Sequence, residues 1–116
     1  MSARPVEGLR ALQAIVLEAL DERRGLVAFS KIEAQEMDRL AREYERRALD
    51  RLREALARMP EEAAALAVRQ RLARMEEQLA ELEGQTGIAE TSRRLQRDEI
   101  TWRAFEDVAA LLGVEA

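Results

Sequence analysis

Six apolar residues, Ala65, Val68, Leu72, Met75, Leu79 and Leu82, follow one another at steps of three and four. An α-helix brings residues at that spacing onto one face; on a strand they would scatter over both sides. The rest of the chain repeats the device. Leu9, Leu12, Val16 and Leu20 share a face, flanked by Ile15 and Ala19. Met37, Ala41, Tyr44, Ala48, Leu52, Ala55 and Met59 form another, widened by Leu40, Leu49 and Leu56. Ile88, Leu95, Trp102, Phe105, Ala109 and Leu112 form the last, and its opposite side is also apolar near the end, at Ile100, Ala104, Val108 and Leu111. β-branched residues are scarce, and no run alternates long enough for a strand. The fold class is therefore all-α.

Punctuation divides these faces into four helices, expected over about 5–24, 31–58, 60–83 and 88–112 of a single domain spanning 1–116. Pro5 suits a first helical turn, and Gly25 after Arg23 and Arg24 reads as a helix stop. Ser30-Lys31-Ile32-Glu33 has the spacing of a capping box. On helix 2, Asp38–Arg42, Glu43–Arg47 and Glu54–Arg58 place the acid four residues ahead of the base, the favourable order. Pro60 forces Met59 out of the helical region, and Glu61 and Glu62 follow it as acids do in a first turn. The first expectation at Pro60 is a tight turn between antiparallel helices 2 and 3; one long helix kinked there is the alternative. Gly84-Gln85-Thr86-Gly87 is the clearest loop, and Gly113 a stop.

A helix 2 of roughly 28 residues would span about 42 Å, while a compact domain of this length has a radius of gyration of about 13 Å. An elongated four-helix arrangement with a long helix 2–helix 3 hairpin follows. Its core is thin in rings: Phe29, Tyr44, Trp102 and Phe105 are all there are. Self-association is a natural way to bury the remaining apolar surface, so a homo-oligomer or a protein partner is expected. The interface candidates are Leu72, Met75, Leu79 and Leu82 on the seam, and Trp102, Phe105 and Leu112 on helix 4. The seam also fits a coiled coil. With Ala65 at position a, Arg71 and Glu76 fall at g and the next e, a pair that attracts in a parallel dimer. An intramolecular hairpin uses the same seam and is the first expectation.

Composition removes most enzyme chemistry. The chain has no Cys and no His, so disulfides, the usual zinc and haem ligands and Ser-His-Asp or Cys-His catalysis are absent. No cofactor is expected. No apolar run is long enough to span a bilayer, and the opening residues do not read as a signal peptide; a cytoplasmic location without membrane contact is expected. Net charge is −4, with 19 Lys and Arg against 23 Asp and Glu. That balance disfavours a dedicated nucleic-acid domain.

Three functions remain. The first is a non-enzymatic oligomerisation or adaptor subunit acting through apolar helix faces. The second is a small nucleic-acid-handling subunit, for which Arg46, Arg47, Arg51 and Arg53 on helix 2, Arg69, Arg71 and Arg74 on helix 3, and Arg93, Arg94 and Arg97 on helix 4 would converge in an oligomer. In outline, a small acidic helical subunit resembles phage-type small terminase subunits, small helical subunits of CRISPR complexes and helical export chaperones; none of their motifs maps onto this chain. The third is a magnesium-dependent nucleotide hydrolase. Glu33-x-x-Glu36 with Asp38 resembles one half of the acidic arrangement of MazG-type all-α pyrophosphatases. The later Glu-x-x-Asp is missing, the one such pair being Glu18 and Asp21 upstream.

Overall fold

The computed structural model describes residues 5–28, 33–59 and 62–114. They form four helices, α1 (Pro5–Ala28), α2 (Ala34–Arg58), α3 (Ala63–Gly84) and α4 (Glu90–Leu111), with no strand among the described residues. Two breaks fall where the sequence puts them. Met59, ahead of the proline, is extended (φ −87°, ψ 141°) and ends α2. Gly87 takes a positive φ of 80° in the loop before α4. The chain thus breaks between α2 and α3, where the alternative was one kinked helix.

Other boundaries differ. α1 runs past Gly25 to Ala28. Gly25 is not in the left-handed conformation of a helix stop, and Leu26 one residue on is buried; packing carries the helix a further turn. α2 starts at Ala34, with Glu33 as its N-cap residue making no side-chain cap bond. Glu33 therefore does not occupy the third helical position the capping box requires; the Ser30 hydroxyl lies outside the described residues. Pro60 lies outside them too; α3 begins at Ala63 after an extended Glu62.

The pairing of helices also differs from expectation. The sequence reading centred the fold on a long α2–α3 hairpin. The closest backbone packing is α1 on α2, α3 on α4, and α1 against α4. Along α1, Gly8, Glu18 and Glu22 meet Met59, Arg51 and Arg47 in reverse order on α2, so the two run antiparallel. Gly8 allows a close approach: a Cβ there would stand 2.9 Å from Met59 Cγ. α3 and α4 are antiparallel as well, Leu82 meeting Arg93 and Arg71 meeting Asp107. α2 and α3 touch through side chains, Arg53 with Glu76 and Arg69 with the Leu56 carbonyl.

One core joins all four helices, from Leu12 and Val16 through Leu52 and Leu56, Val68, Leu72 and Met75 to Phe105 and Val108. The radius of gyration is 15.2 Å and the principal extents are 48 × 32 × 22 Å, larger than about 13 Å for a compact chain of this length.

Helix C-termini leave carbonyls without their usual helical partners. Leu56 O and Leu82 O accept from the C-cap N–H groups of Met59 and Gln85, and side chains of other helices add a donor to each of these and to Leu112 O. Arg69 of α3 donates to Leu56 O of α2 (2.5 Å), Arg93 of α4 to Leu82 O of α3 (2.6 Å), and Gln13 of α1 to Leu112 O at the end of α4 (2.8 Å). The seam is consumed inside the chain. Ala65, Val68, Leu72, Met75 and Leu82 are buried, and Leu79 is partly buried against the core. Leu72→Ala should therefore cost about 2–5 kcal/mol in urea unfolding, whereas Leu111→Ala, at an exposed position, should stay within about 0.5 kcal/mol. Equal effects at the two positions would contradict this core.

Candidate functional site

A cleft of about 350 Å³ opens where the end of α1, the start of α2 and the first half of α4 converge. This follows from composition. The first half of α4, Glu90 to Glu99, is nearly all polar, so it cannot close against α2 as the Trp102–Leu112 half closes on the core. Leu26 of α1, Met37 and Ala41 of α2, and Leu95 and Trp102 of α4 supply the apolar lining. Trp102 is buried and meets Phe105 edge-on, with centroids 5.0 Å apart and planes at 65°. The Arg23 guanidinium lies 5.2 Å from the Trp102 ring centroid, within cation–π range. Leu95 stands out: it is 66% exposed, the most exposed large apolar side chain among the described residues.

The polar lining carries both signs, Arg23 and Arg94 with Asp38 and Asp98. Asp38 receives Arg42 at 3.1 Å and Arg94 at 3.9 Å. Next to Asp98 lies Glu45, a carboxyl only 7% exposed. Burial, then the charge and proximity of Asp98, push Glu45 up to about 8. Asp98 is raised too, chiefly by burial, against the opposing effect of its close neighbour Glu45. The sequence reading missed both acids. The available signal was phase: Glu45 stands in the series Ala41, Glu45, Ala48, Leu52, and Asp98 in the series Asp98, Trp102, Phe105, acids at positions reserved for apolar residues.

The predicted interface residues lie elsewhere or deeper. Leu72, Met75, Leu82, Phe105 and Leu112 are buried in the core, and Leu79 is partly buried; Trp102 is the one of that group that lines the cleft. The arginines do not converge on one surface of the chain. Arg47 pairs with Glu22 (3.2 Å), Arg51 with Glu18 (2.9 Å), Arg53 with Glu76, and Arg71 with Asp107 (2.8 Å). Arg71 and Glu76, the proposed coiled-coil pair, are thus engaged with different helices. Arg69 and Arg93 close helix ends, and Arg94 sits between Asp38 and Glu90. Arg46 lines an open groove with Arg39, Arg42 and Glu43; Arg74 is exposed, and Arg97 is half-buried. Of the acids singled out for magnesium, Glu36 is held by Arg39, whose hydrogen bond lowers its pKa, while Asp38 turns to the cleft arginines. No group of three or more metal-ligating side chains stands together among the described residues. No described helix is long and apolar enough to cross a membrane.

Comparison with protein-family models, with curated proteins and with solved structures gives no match to this chain.

Proposed function

We propose that this chain is a non-enzymatic interaction subunit whose contact surface is the α1–α2–α4 cleft, and that it associates with a second copy of itself there. The observation that carries this reading is Leu95, 66% exposed on the lip of an apolar cleft floored by Trp102. A lone exposed leucine is ordinary, but one beside an open apolar cleft offers both a projection and a socket. In a two-fold dimer each copy supplies the same patch to the other, so the patch must complement itself. Arg23 and Arg94 beside Asp38 and Asp98 meet that condition, since a two-fold rotation can set base against acid. The reading moves the contact surface away from the α3 seam, whose residues the core consumes.

Burying one leucine contributes about 1.5–3 kcal/mol, and a symmetric contact counts it twice. Leu95→Asp should therefore weaken association by at least about 100-fold, with helical content and thermal midpoint kept. Sedimentation velocity across tens of micromolar measures it. A wild-type protein that stays monomeric, or a Leu95→Asp variant that associates equally well, would sink the reading.

A further inference from the structure

The geometry points to a proton-operated clasp beside this cleft: Glu45 and Asp98 share one proton between α2 and α4, and its loss opens the cleft that Asp98 lines. The inference rests on the cleft identified above, and deepens its reading as a contact surface with a means of control.

Glu45 Oε1 and Asp98 Oδ1 are both buried, and neither has a hydrogen-bond partner among the protein donors. Two ionised carboxylates supply acceptors only. A single proton resolves this: protonated Glu45 donates to Asp98, and both groups are satisfied. Close carboxyl pairs hold a proton for the same reason, because like charges that near cannot both ionise cheaply. The charged surroundings are mixed. On α2, Asp38 opposes ionisation of both acids and Arg42 favours it; on α4, Arg94 lines the cleft with Asp98; from α1, Arg23 favours ionised Asp98. Despite these bases, Glu45 is pushed up to about 8, with burial the largest cause.

The clasp has mechanical leverage because of where it sits. α2 and α4 are not among the closely packed helix pairs. Side chains bridge them here: the Glu45–Asp98 pair, and Arg94 reaching Asp38 at a long 3.9 Å. When the shared proton leaves, two buried carboxylates repel across that gap. Asp98, Leu95 and Trp102 ride on the same stretch of α4, so separation from α2 widens the cleft and admits water to Trp102.

Trp102 is the single tryptophan and reports this directly. Its emission is followed from pH 5 to 9.5 at about 1 µM, dilute enough to test the subunit alone, in wild type, Glu45→Gln and Asp98→Asn. Wild type should shift reversibly to the red with a midpoint near 8, and acrylamide quenching should rise at least twofold. Glu45→Gln should be flat, since its amide donates to Asp98 at every pH. Asp98→Asn should move the midpoint down by a unit or more, because the asparagine amide donates to ionised Glu45. Circular dichroism at pH 6 checks folding; if Glu45→Gln does not fold, the direction of the Asp98→Asn shift decides. A wild type without a red shift below pH 9.5 overturns the clasp, as does an unchanged midpoint in the folded variants. Sedimentation at pH 6 and pH 9 separates the two readings. A chain monomeric at both values with its fluorescence transition intact defeats self-association and supports the clasp; association with no transition does the reverse.

Discussion

Phe105→Ala is expected to destabilise the protein by about 3–5 kcal/mol, a loss at the upper end for single truncations. Phe105 is fully buried and heads the completely enclosed side chains. It stands on α4 within the core that joins all four helices, so its removal leaves a cavity that no single helix can fill by sliding. It also removes the edge-on partner of Trp102, a contact worth about 0.5–1.5 kcal/mol beyond area burial. A chain of this length has a total stability of roughly 6–17 kcal/mol. The variant should therefore lose roughly a sixth or more of its stability, with a fall in thermal midpoint of about 15 °C. Urea unfolding with an unchanged slope is the measurement. Phe105→Leu, which retains most of the volume, should cost less than half as much. A loss below about 1 kcal/mol for the alanine variant would mean that α4 is not docked as described.

That docking shows what periodicity can and cannot convey. The seam from Ala65 to Leu82 and the face containing Trp102 and Phe105 were legible because the spacing marks which side of a helix avoids water. The breaks at Met59 and Gly87 were legible because proline and glycine act locally on φ and ψ. The partner of each face was not. The faces of α2 and α3 suit a hairpin with each other as well as they suit α1 and α4, and the choice rests on contacts such as Gly8 under Met59 and Gln13 on the Leu112 carbonyl. Gly25 misled for a related reason. Its composition favours a stop, yet burial of Leu26 outweighs the roughly 1 kcal/mol that glycine costs inside a helix.

The arginines carry a similar lesson. The spacing on helix 2 suggested pairs within one helix, yet several of the pairs formed are between helices. Glu43 pairs with Arg39 rather than with Arg47, because Arg47 reaches Glu22 on α1. Arg71 is the extreme case, its side chain only 13% exposed and paired with Asp107. Helix spacing alone does not separate a local i,i+4 pair from a tertiary one, since both use long side chains on the flank of an apolar face.

Stability should also depend on pH in an unusual direction, and Glu45 sets the sign. Its pKa rises from 4.5 to about 8 in the folded chain. Between those values the folded state holds a proton that the unfolded state has released, so stability falls as pH rises. The stabilisation from this group is complete below about 4.5, declines across the interval and is gone above about 8. Glu36 acts oppositely. Its pKa is lowered by Arg39, so its contribution is present above its ordinary value and is lost as pH falls. Wild type alone mixes these effects. Glu45→Gln isolates the first, because Glu36 and the other surface pairs cancel in the difference between the two proteins. At pH 5 the two should unfold within about 1 kcal/mol of each other, since protonated Glu and Gln have similar shape and both can donate. The difference should then grow in favour of Glu45→Gln and level off above about pH 8, reaching a few kcal/mol, on the order expected when a pKa moves by several units. Urea titrations at pH 5, 6.5, 8 and 9 measure the curve. Parallel stability profiles for the two proteins would show that Glu45 ionises without cost, and hence that the space between α2 and α4 is already open to water.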